Sequence, residues 1–535
     1  MRLSGTVSVS DAVMPETSHP PFRKGHSTMP SVVSSPGVSV EISELRSSAL
    51  RELREVLSTQ NYQGAVRCAT RLHDALPDDR PLGSSVVLVA YGGGKDSSYT
   101  LTFVRAVQLV LFQLYGTTFR MRVASNRHAG MPRAVMENID RVYSALRLAE
   151  DPACELLLID GRKVRPFDVD IPQDTDVVER NRVDILMTGH RTAADARPTF
   201  CNACNLSMVN SFGLAAGHDG GVDLIITGDS QREQRDYYLW VSRLAKRFGL
   251  QPPRDQRSGF KGFLAALDNV SQAYFADIHG PDASAVIADH AITTDVREGL
   301  RFFSIYDDTA YASGDHWELL TEFLGFRFDD IAFSFTESDC GNPALMAHLR
   351  ALKCERRYGR SYADGLDEYV RFAISLMGKK EFPPQLVEVM RERYEGAADR
   401  MRAAMDAYAL DAYGLTEEQL VAMVYAPFTE KGAGLEEYLR AEQPDLAEAV
   451  PRVHALLDGT EDDAALTRRL ESATGLTVSQ LRVLYRGSLR ITSATGGADQ
   501  GELIDSILEG DPHKEVISTR HSADGPLVPE LLSGR

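Results

Sequence analysis

The fold turns on Val86-Val87-Leu88-Val89-Ala90-Tyr91-Gly92-Gly93-Gly94-Lys95-Asp96-Ser97-Ser98. A short apolar run rich in β-branched residues meets three consecutive glycines, then Lys, Asp and two Ser. A helix-compatible run, Ser98–Tyr115, follows. The pattern is strand, tight loop, helix. Glycine lets a backbone turn sharply and approach a ligand closely. The N–H groups of such a loop, and of the helix start behind it, attract an anion, and the helix dipole favours this. Lys95 adds a mobile positive charge, and Ser97 and Ser98 add hydroxyls. The chemistry predicted here is phosphate binding.

On either side of this stretch the pattern alternates. Strands are predicted at Val86–Ala90, Phe119–Ala124, Leu156–Ile159 and Leu224–Thr227, and helices at Ser98–Tyr115, Ala134–Leu148, Asn205–Ala216 and Arg232–Phe248. Alternation of this kind predicts an α/β fold, a parallel sheet with helices on both faces. Ligands of such sheets bind at the carboxyl ends of the strands, where the glycines lie. Residues 1–40 are rich in Ser, Pro, Gly and Val without periodicity and read as a disordered tail. Residues 41–80 read as a helical extension. Leu300–Tyr306 is a further strand candidate and Trp317–Leu324 a further helix. Beyond Ser361 the chain reads as a separate helical domain to residue 490, with helices at Leu366–Met377, Pro384–Tyr408, Glu417–Met423, Leu435–Leu439 and Leu466–Tyr485. Residues 491–535 read as a mobile tail.

The glycine loop is neither of the two commonest phosphate motifs. The Walker A pattern places Ser or Thr directly after Lys, and here Asp96 intervenes; Gly-x-Gly-x-x-Gly is absent. Gly92-Gly93-Gly94-Lys95-Asp96-Ser97 instead resembles the PP-loop of the N-type ATP pyrophosphatases (adenine nucleotide alpha hydrolase-like), usually Ser-Gly-Gly-x-Asp-Ser. The likeness includes the strand before and the helix after, and departs at Gly92, which stands for Ser. Ser98 or a backbone N–H is the expected substitute for that hydroxyl.

The resemblance implies a HUP-like, Rossmann-type domain over residues 81–360 that takes ATP with Mg2+, adenylates an acceptor and releases pyrophosphate. It puts Gly92, Gly93, Gly94, Lys95, Asp96, Ser97 and Ser98 on the nucleotide, with Lys95 and Asp96 as catalytic positions. Asp223-Leu224-Ile225-Ile226-Thr227-Gly228-Asp229-Ser230 is a second strand ending in a turn; the resemblance makes Gly228, Asp229 and Ser230 the opposite wall of the pocket. A carboxylate such as Asp229 suits Mg2+, which binds through one or two carboxylates plus phosphates. Ser125-Asn126-Arg127-His128 follows the second strand, and the resemblance turns Asn126 and Arg127 toward the nucleotide. Arg232, Arg235 and Lys261 are weaker phosphate candidates. Asp307-Asp308 and Asp329-Asp330 read as surface pairs.

Six cysteines in 535 residues do not make a disulfide scaffold. Cys68 and Cys154 sit in helical and strand contexts and read as core. Cys201-Asn202-Ala203-Cys204 is a C-x-x-C, and Cys340 and Cys354 follow downstream. Four readings stay open: a [4Fe–4S] cluster on Cys201, Cys204 and Cys340 with one iron free; structural Zn2+ with Cys354 as fourth ligand; a redox or persulfide pair; or inert thiols. The order of PP-loop, C-x-x-C and single distant Cys resembles the iron–sulfur branch of the tRNA 2-thiolation enzymes, which implies sulfur transfer to the adenylated substrate.

A net charge of −18 fits tRNA poorly, since nucleic-acid binders rely on basic surface, so a small-molecule acceptor is expected. No apolar run approaches the roughly 20 residues of a membrane span, and the N-terminus lacks a signal-type apolar core, so a cytoplasmic location is expected. Two rivals keep the nucleotide site. One is an ammonia- or amine-dependent ligase, with zinc or nothing at the cysteines. The chain opens Met1-Arg2-Leu3-Ser4 without the N-terminal Cys of a glutaminase, so that rival needs an ammonia-donor protein, as the first reading needs a sulfur donor. The other is a non-catalytic ATP-binding module.

Overall fold

The computed structural model describes residues 39–228, 231–280, 283–310, 316–331, 340–379, 382, 384–490, 503–509 and 513–534, and of residues 202–208, 233, 385 and 509 the backbone alone. Two helices lead, α1 (Val40–Val56) and α2 (Thr59–Ala75), capped by Ser39 and Ser58, whose side chains accept from Ile42 and Asn61. The sheet region follows: β1 (Val86–Ala90), α3 (Lys95–Tyr115), β2 (Arg120–Arg127), α4 (Arg133–Ala145), β3 (Cys154–Asp160), β4 (Lys163–Pro166), α5 (Thr175–Arg191), α6 (Ala196–Gly217), β5 (Leu224–Ile226), α7 (Gln231–Arg247), α8 (Gly259–His279), α9 (Ser284–Asp289) and β6 (Arg301–Phe302).

The six strands form one sheet in the order β4-β3-β2-β1-β5-β6. All neighbours are parallel except β3 and β4, which form an antiparallel edge hairpin. The chain winds from β1 outward through β2 to β3, then crosses back to place β5 on the other side of β1. The order therefore reverses between β1 and β5, and the carboxyl ends of those two strands flank the crevice where open α/β sheets take their ligands. The period of two sorts the strand residues. Val87, Val89, Met121, Val123, Leu158, Leu224 and Ile226 face a core built with α1–α4. Val86, Leu88, Ala124, Leu157, Ile159 and Ile225 face a second core built with α6, α7 and α8.

The helical half continues through α10 (Asn342–Leu352), α11 (Tyr362–Lys379), α12 (Pro384–Tyr394), α13 (Ala398–Tyr413), α14 (Glu417–Tyr425), α15 (Leu435–Glu442), α16 (Val450–Asp458), α17 (Ala464–Thr474), α18 (Val478–Arg486) and α19 (Leu503–Glu509). A hairpin, β7 (Lys514–Arg520) and β8 (Leu527–Ser533), follows. One hydrophobic core joins Leu186 of α5, Phe200 of α6 and Leu345 of α10 to Leu366, Leu420 and Leu456. A boundary at residue 361 cuts through that core. Within the sheet region, buried Asp184 ties α5 to its neighbours, lying 2.8 Å from His279 of α8 and 3.1 Å from His290 just past α9. Burial opposes the charge on Asp184, but the two imidazoles hold its carboxyl well below the usual range.

Several elements differ from the sequence reading. Residues 491–535 contain α19 and the β7–β8 hairpin, where a mobile tail was expected. The hairpin is fastened: Glu530 accepts from Arg350 at 2.9 Å and from Lys353 at 2.8 Å, and Ser533 bonds Asp195 at the start of α6. Burial would raise the Glu530 carboxyl, but Lys353 and Arg350 hold it at about 2. Pro384–Tyr408 is two helices, broken at Gly396 with φ +61°. Leu466–Tyr485 is also two, stopped by Gly475 and restarted by the Thr477–Gln480 capping box. Leu300–Tyr306 contributes only the two-residue β6. Residues 41–80 are no appendage. Arg46 of α1 and Arg105 of α3 both grip Asp151, at 2.7 and 2.9 Å, and Leu53 and Leu72 enter the sheet's core.

Candidate functional site

The glycine loop leaves the carboxyl end of β1. Tyr91 N–H still bonds Ala124 O of β2 at 3.0 Å, so the loop proper is Gly92–Gly94. Gly93 has φ +80°, and a Cβ there would lie 2.8 Å from both Ile139 and Val135 of α4. Both facts demand glycine: the backbone is left-handed and the neighbouring helix presses on it. Gly94 is the N-cap of α3, with no side chain capping the helix. The helix starts at Lys95 rather than Ser98, so Lys95, Asp96 and Ser97 occupy its first turn, next to unsatisfied backbone N–H groups.

Lys95 is buried, its Nζ 2.9 Å from Asp96 Oδ1, while Asp96 is half exposed. Ser97 and Ser98 both direct their hydroxyls at Gly94 O, at 3.0 and 2.9 Å. Ser98 is completely buried and lies 3.0 Å from Tyr91 Oη. Its hydroxyl thus locks the loop to the helix. Burial pushes the Tyr91 phenol upward despite the bond to Ser98, so this pair stays neutral.

Across the crevice, β5 pairs with β1 through Val89 and Ile226, which sets Thr227 and Gly228 beside Ala90 and Tyr91. Tyr306 donates to Gly228 O, and Gln234 of α7 donates to Thr227 Oγ1 at 3.1 Å. Asp229 and Ser230 lie outside the described residues. On the other side, β2 runs through Arg127, so Ser125, Asn126 and Arg127 are strand rather than loop. Asn126 is half-buried at the strand end. Arg127 is buried, bonding Asp160 Oδ2 at 2.5 Å and the carbonyls of Ile171 and Pro172 at 2.7 and 2.9 Å. It braces β2, β3 and the following loop. His128 Nδ1 accepts from Gly130 N–H at 3.1 Å. Arg232 and Arg235 are on the exposed side of α7, and Lys261 is exposed on α8.

The C-x-x-C is one turn of α6, not ahead of a helix, because α6 begins nine residues earlier than expected, at Ala196 rather than Asn205. Cys201 and Cys340 are both buried. They are brought into one neighbourhood: Asn342 donates to Phe200 O at 3.3 Å, and Gly341 N–H bonds Gly130 O at 3.1 Å. That second bond connects the Cys340 segment to the chain just past β2. The Cys204 side chain lies outside the described residues, and among the described residues no group of three or more His, Cys, Asp and Glu is placed to hold a metal. Cys354 does not join the others. Past the far end of α10, about 20 Å from Cys340 at the helix rise per residue, it faces Glu368 at 3.7 Å. A zinc site using both is therefore ruled out by distance. Burial pushes the Cys354 thiol up to about 11, as it does Cys154, and it pushes Cys68 higher still. These three are protonated at neutral pH, as core thiols are.

A cavity of 840 Å3 opens beside Thr227, Gln231 and Gln234, between α6, α7, α8 and β6. The sequence reading missed it, because aromatic pairs at i, i+3 spacing, such as Tyr237/Trp240 and Phe260/Phe263, are equally at home on a packed helix face. The sequence reading also missed Tyr306, whose hydroxyl fixes the β5 turn. No helix among the described residues is long and apolar enough to cross a membrane. No family model, curated protein or solved structure matches this chain.

Proposed function

We propose that the protein is an ATP-dependent adenylating enzyme, forming AMP and pyrophosphate in the manner of the PP-loop pyrophosphatases. The observation that carries this reading is the meeting of Gly92–Lys95 with Thr227–Gly228 at the crevice where the strand order reverses. Any ligand there meets the N–H groups of Gly93, Gly94 and the first turn of α3, together with the Lys95 ammonium. Such an array stabilises charge that grows on departing pyrophosphate. An acceptor oxygen attacks the α-phosphorus of ATP, taken as its Mg2+ complex, and the bond to the bridging oxygen breaks. A nucleophile then displaces AMP. Positioning and electrostatics supply most of the rate.

Sulfur is the nucleophile this proposal favours, because Cys201 and Cys340 converge beside the end of β2. Cys201, Cys204 and Cys340 would hold a [4Fe–4S] cluster, which supplies an open iron site for sulfur. The acceptor is a small molecule rather than tRNA, and a reducing, cytoplasmic setting suits the free thiols.

Two measurements test this. ATP incubated with the protein and acceptor releases AMP and pyrophosphate, and Lys95→Ala lowers that rate at least a hundredfold with the circular-dichroism spectrum unchanged. Turnover that survives the substitution sinks the site. Anaerobic purification should yield iron and sulfide at about four each per chain; a colourless protein with stoichiometric zinc ends the cluster reading.

A further inference from the structure

The cavity on the α7–α8 side of the sheet reaches the carboxyl end of β5. Val89 and Ile226 are the last paired rung of β1 and β5, so Thr227, on the cavity lining, stands one residue past it. Neighbouring strands lie about 4.8 Å apart, so this end of the cavity stands one strand spacing from Ala90, the residue that leads into Tyr91 and the glycine loop. Its 840 Å3 falls within the roughly 300–1,000 Å3 of small-molecule sites.

The lining is aromatic. Tyr237 and Trp240 stack with centroids 5.8 Å apart, Tyr238 stacks on Phe263 at 5.6 Å, and Phe260 meets Phe302 edge-on at 5.1 Å. Aromatic faces prefer offset-stacked or edge-on partners, so a wall of this kind selects a planar ring. Tyr237 and Tyr238 are 37% and 44% exposed, which leaves them open at the entrance. Polar groups gather at the strand end, where Gln234 donates to Thr227 and Gln231 stands alongside. Arg197, Arg235, Arg301 and Asp236 are the charged residues of the lining that carry a fixed sign at neutral pH, three cations to one anion, and guanidinium groups suit carboxylates.

We infer that this cavity binds the acceptor, and that the acceptor is a planar aromatic carboxylate, its ring on the Tyr238–Phe263 wall and its carboxylate at the Thr227 end. The inference rests on the adenylation reading of the glycine loop. A carboxylate oxygen forms the new bond to the α-phosphorus, and the bond to the bridging oxygen breaks. Pyrophosphate leaves with that electron pair, and no proton is released. The product is a mixed acyl-adenylate anhydride, from which a sulfur nucleophile displaces AMP.

The test uses the full chain and two arms. In the first, 1-anilinonaphthalene-8-sulfonate is titrated in by its own emission. One site is expected, and Val270→Phe, which fills the cavity, and Tyr238→Ala, which removes an exposed wall residue, each weaken it at least fivefold. Unchanged affinity in folded Tyr238→Ala overturns the inference. In the second arm, ATP–pyrophosphate exchange is measured with 1-naphthoate, cinnamate and indole-3-carboxylate against hexanoate. An aromatic acid should drive exchange at least tenfold faster than hexanoate, and both variants should suppress it. If calorimetry shows that ATP binds but hexanoate does as well as every aromatic acid, or no acid works, the inference is overturned and the nucleotide reading stands. If ATP does not bind, the adenylation reading itself falls and takes this inference with it.

Discussion

The two faces of the sheet are built to opposite ends. On the α1–α4 side the packing is closed: Val87, Val89, Phe103 and Ile139 are fully buried, and α4 presses on the loop so hard that Gly93 has no room for a methyl. On the α6–α8 side, rings of similar size stand around 840 Å3 of open space. Under the proposed function, the difference separates two tasks. A phosphate loop needs a rigid support to hold its N–H groups in place, and close packing supplies rigidity. A binding cavity needs apolar surface that is not yet used, and leaving rings half-covered supplies that at a cost in stability.

Substitutions can break this contrast, and the largest effect is expected on the closed side. Phe103→Ala should destabilise by about 3–5 kcal/mol in denaturant unfolding, through lost transfer energy and an unfilled hole. Phe263→Ala, on the cavity lining yet only 7% exposed, should cost less, because the hole it leaves joins existing space; equal losses would mean the two faces are packed alike. Next in size, Gly93→Ala combines a left-handed backbone with a Cβ 2.8 Å from two side chains. It should cost about 2–3 kcal/mol and reduce ATP affinity together with stability. A variant that loses neither would show that the loop does not lean on α4.

A smaller effect sharpens the picture of the helical half. His190 is completely buried, edge-on to Phe428 at 5.5 Å, and neither ring nitrogen has a hydrogen-bond partner among the described residues. Burial lowers its pKa to about 3. In the unfolded chain it titrates near ~6.5, so between those values the unfolded state holds the extra proton. Stability should then fall as pH drops below ~6.5, by up to about 1.4 kcal/mol per pH unit from this group. In His190→Leu that share of the acid slope should vanish; an unchanged slope would assign it elsewhere.

The sheet was legible because its signals are local. Val86–Ala90 is uninterrupted and apolar, and three glycines stop it. β4 was not legible, since Lys163, Arg165 and Pro166 read as loop and only the edge position tolerates them. The start of α6 carried a sign that went unused, Pro198 in the first turn after Asp195. The β7–β8 hairpin also had one, in the β-branched Val516, Ile517 and Thr519 ahead of the turn dipeptide Asp524-Gly525. For the site, the loop residues are named by spacing. The burial of Ser98 and Arg127 is not, because it depends on Tyr91 and Asp160, which meet them through the fold. The aromatic wall was illegible for another reason. Core and cavity use the same residues at the same period, and only the space left between them tells the two apart.

The clamp on Glu530 and Ser533 has a consequence for the order of assembly. Ile507 and His513, which close the far side of the cavity, belong to a segment that emerges from the ribosome long after β1, β5 and α8. Until then the aromatic wall is bare, and a nascent chain carries a sticky, half-made pocket. The ion pairs to Arg350 and Lys353 therefore act as a late latch, and the lining of the cavity is complete only on the arrival of residues about 240–280 positions downstream of Tyr237–Phe263.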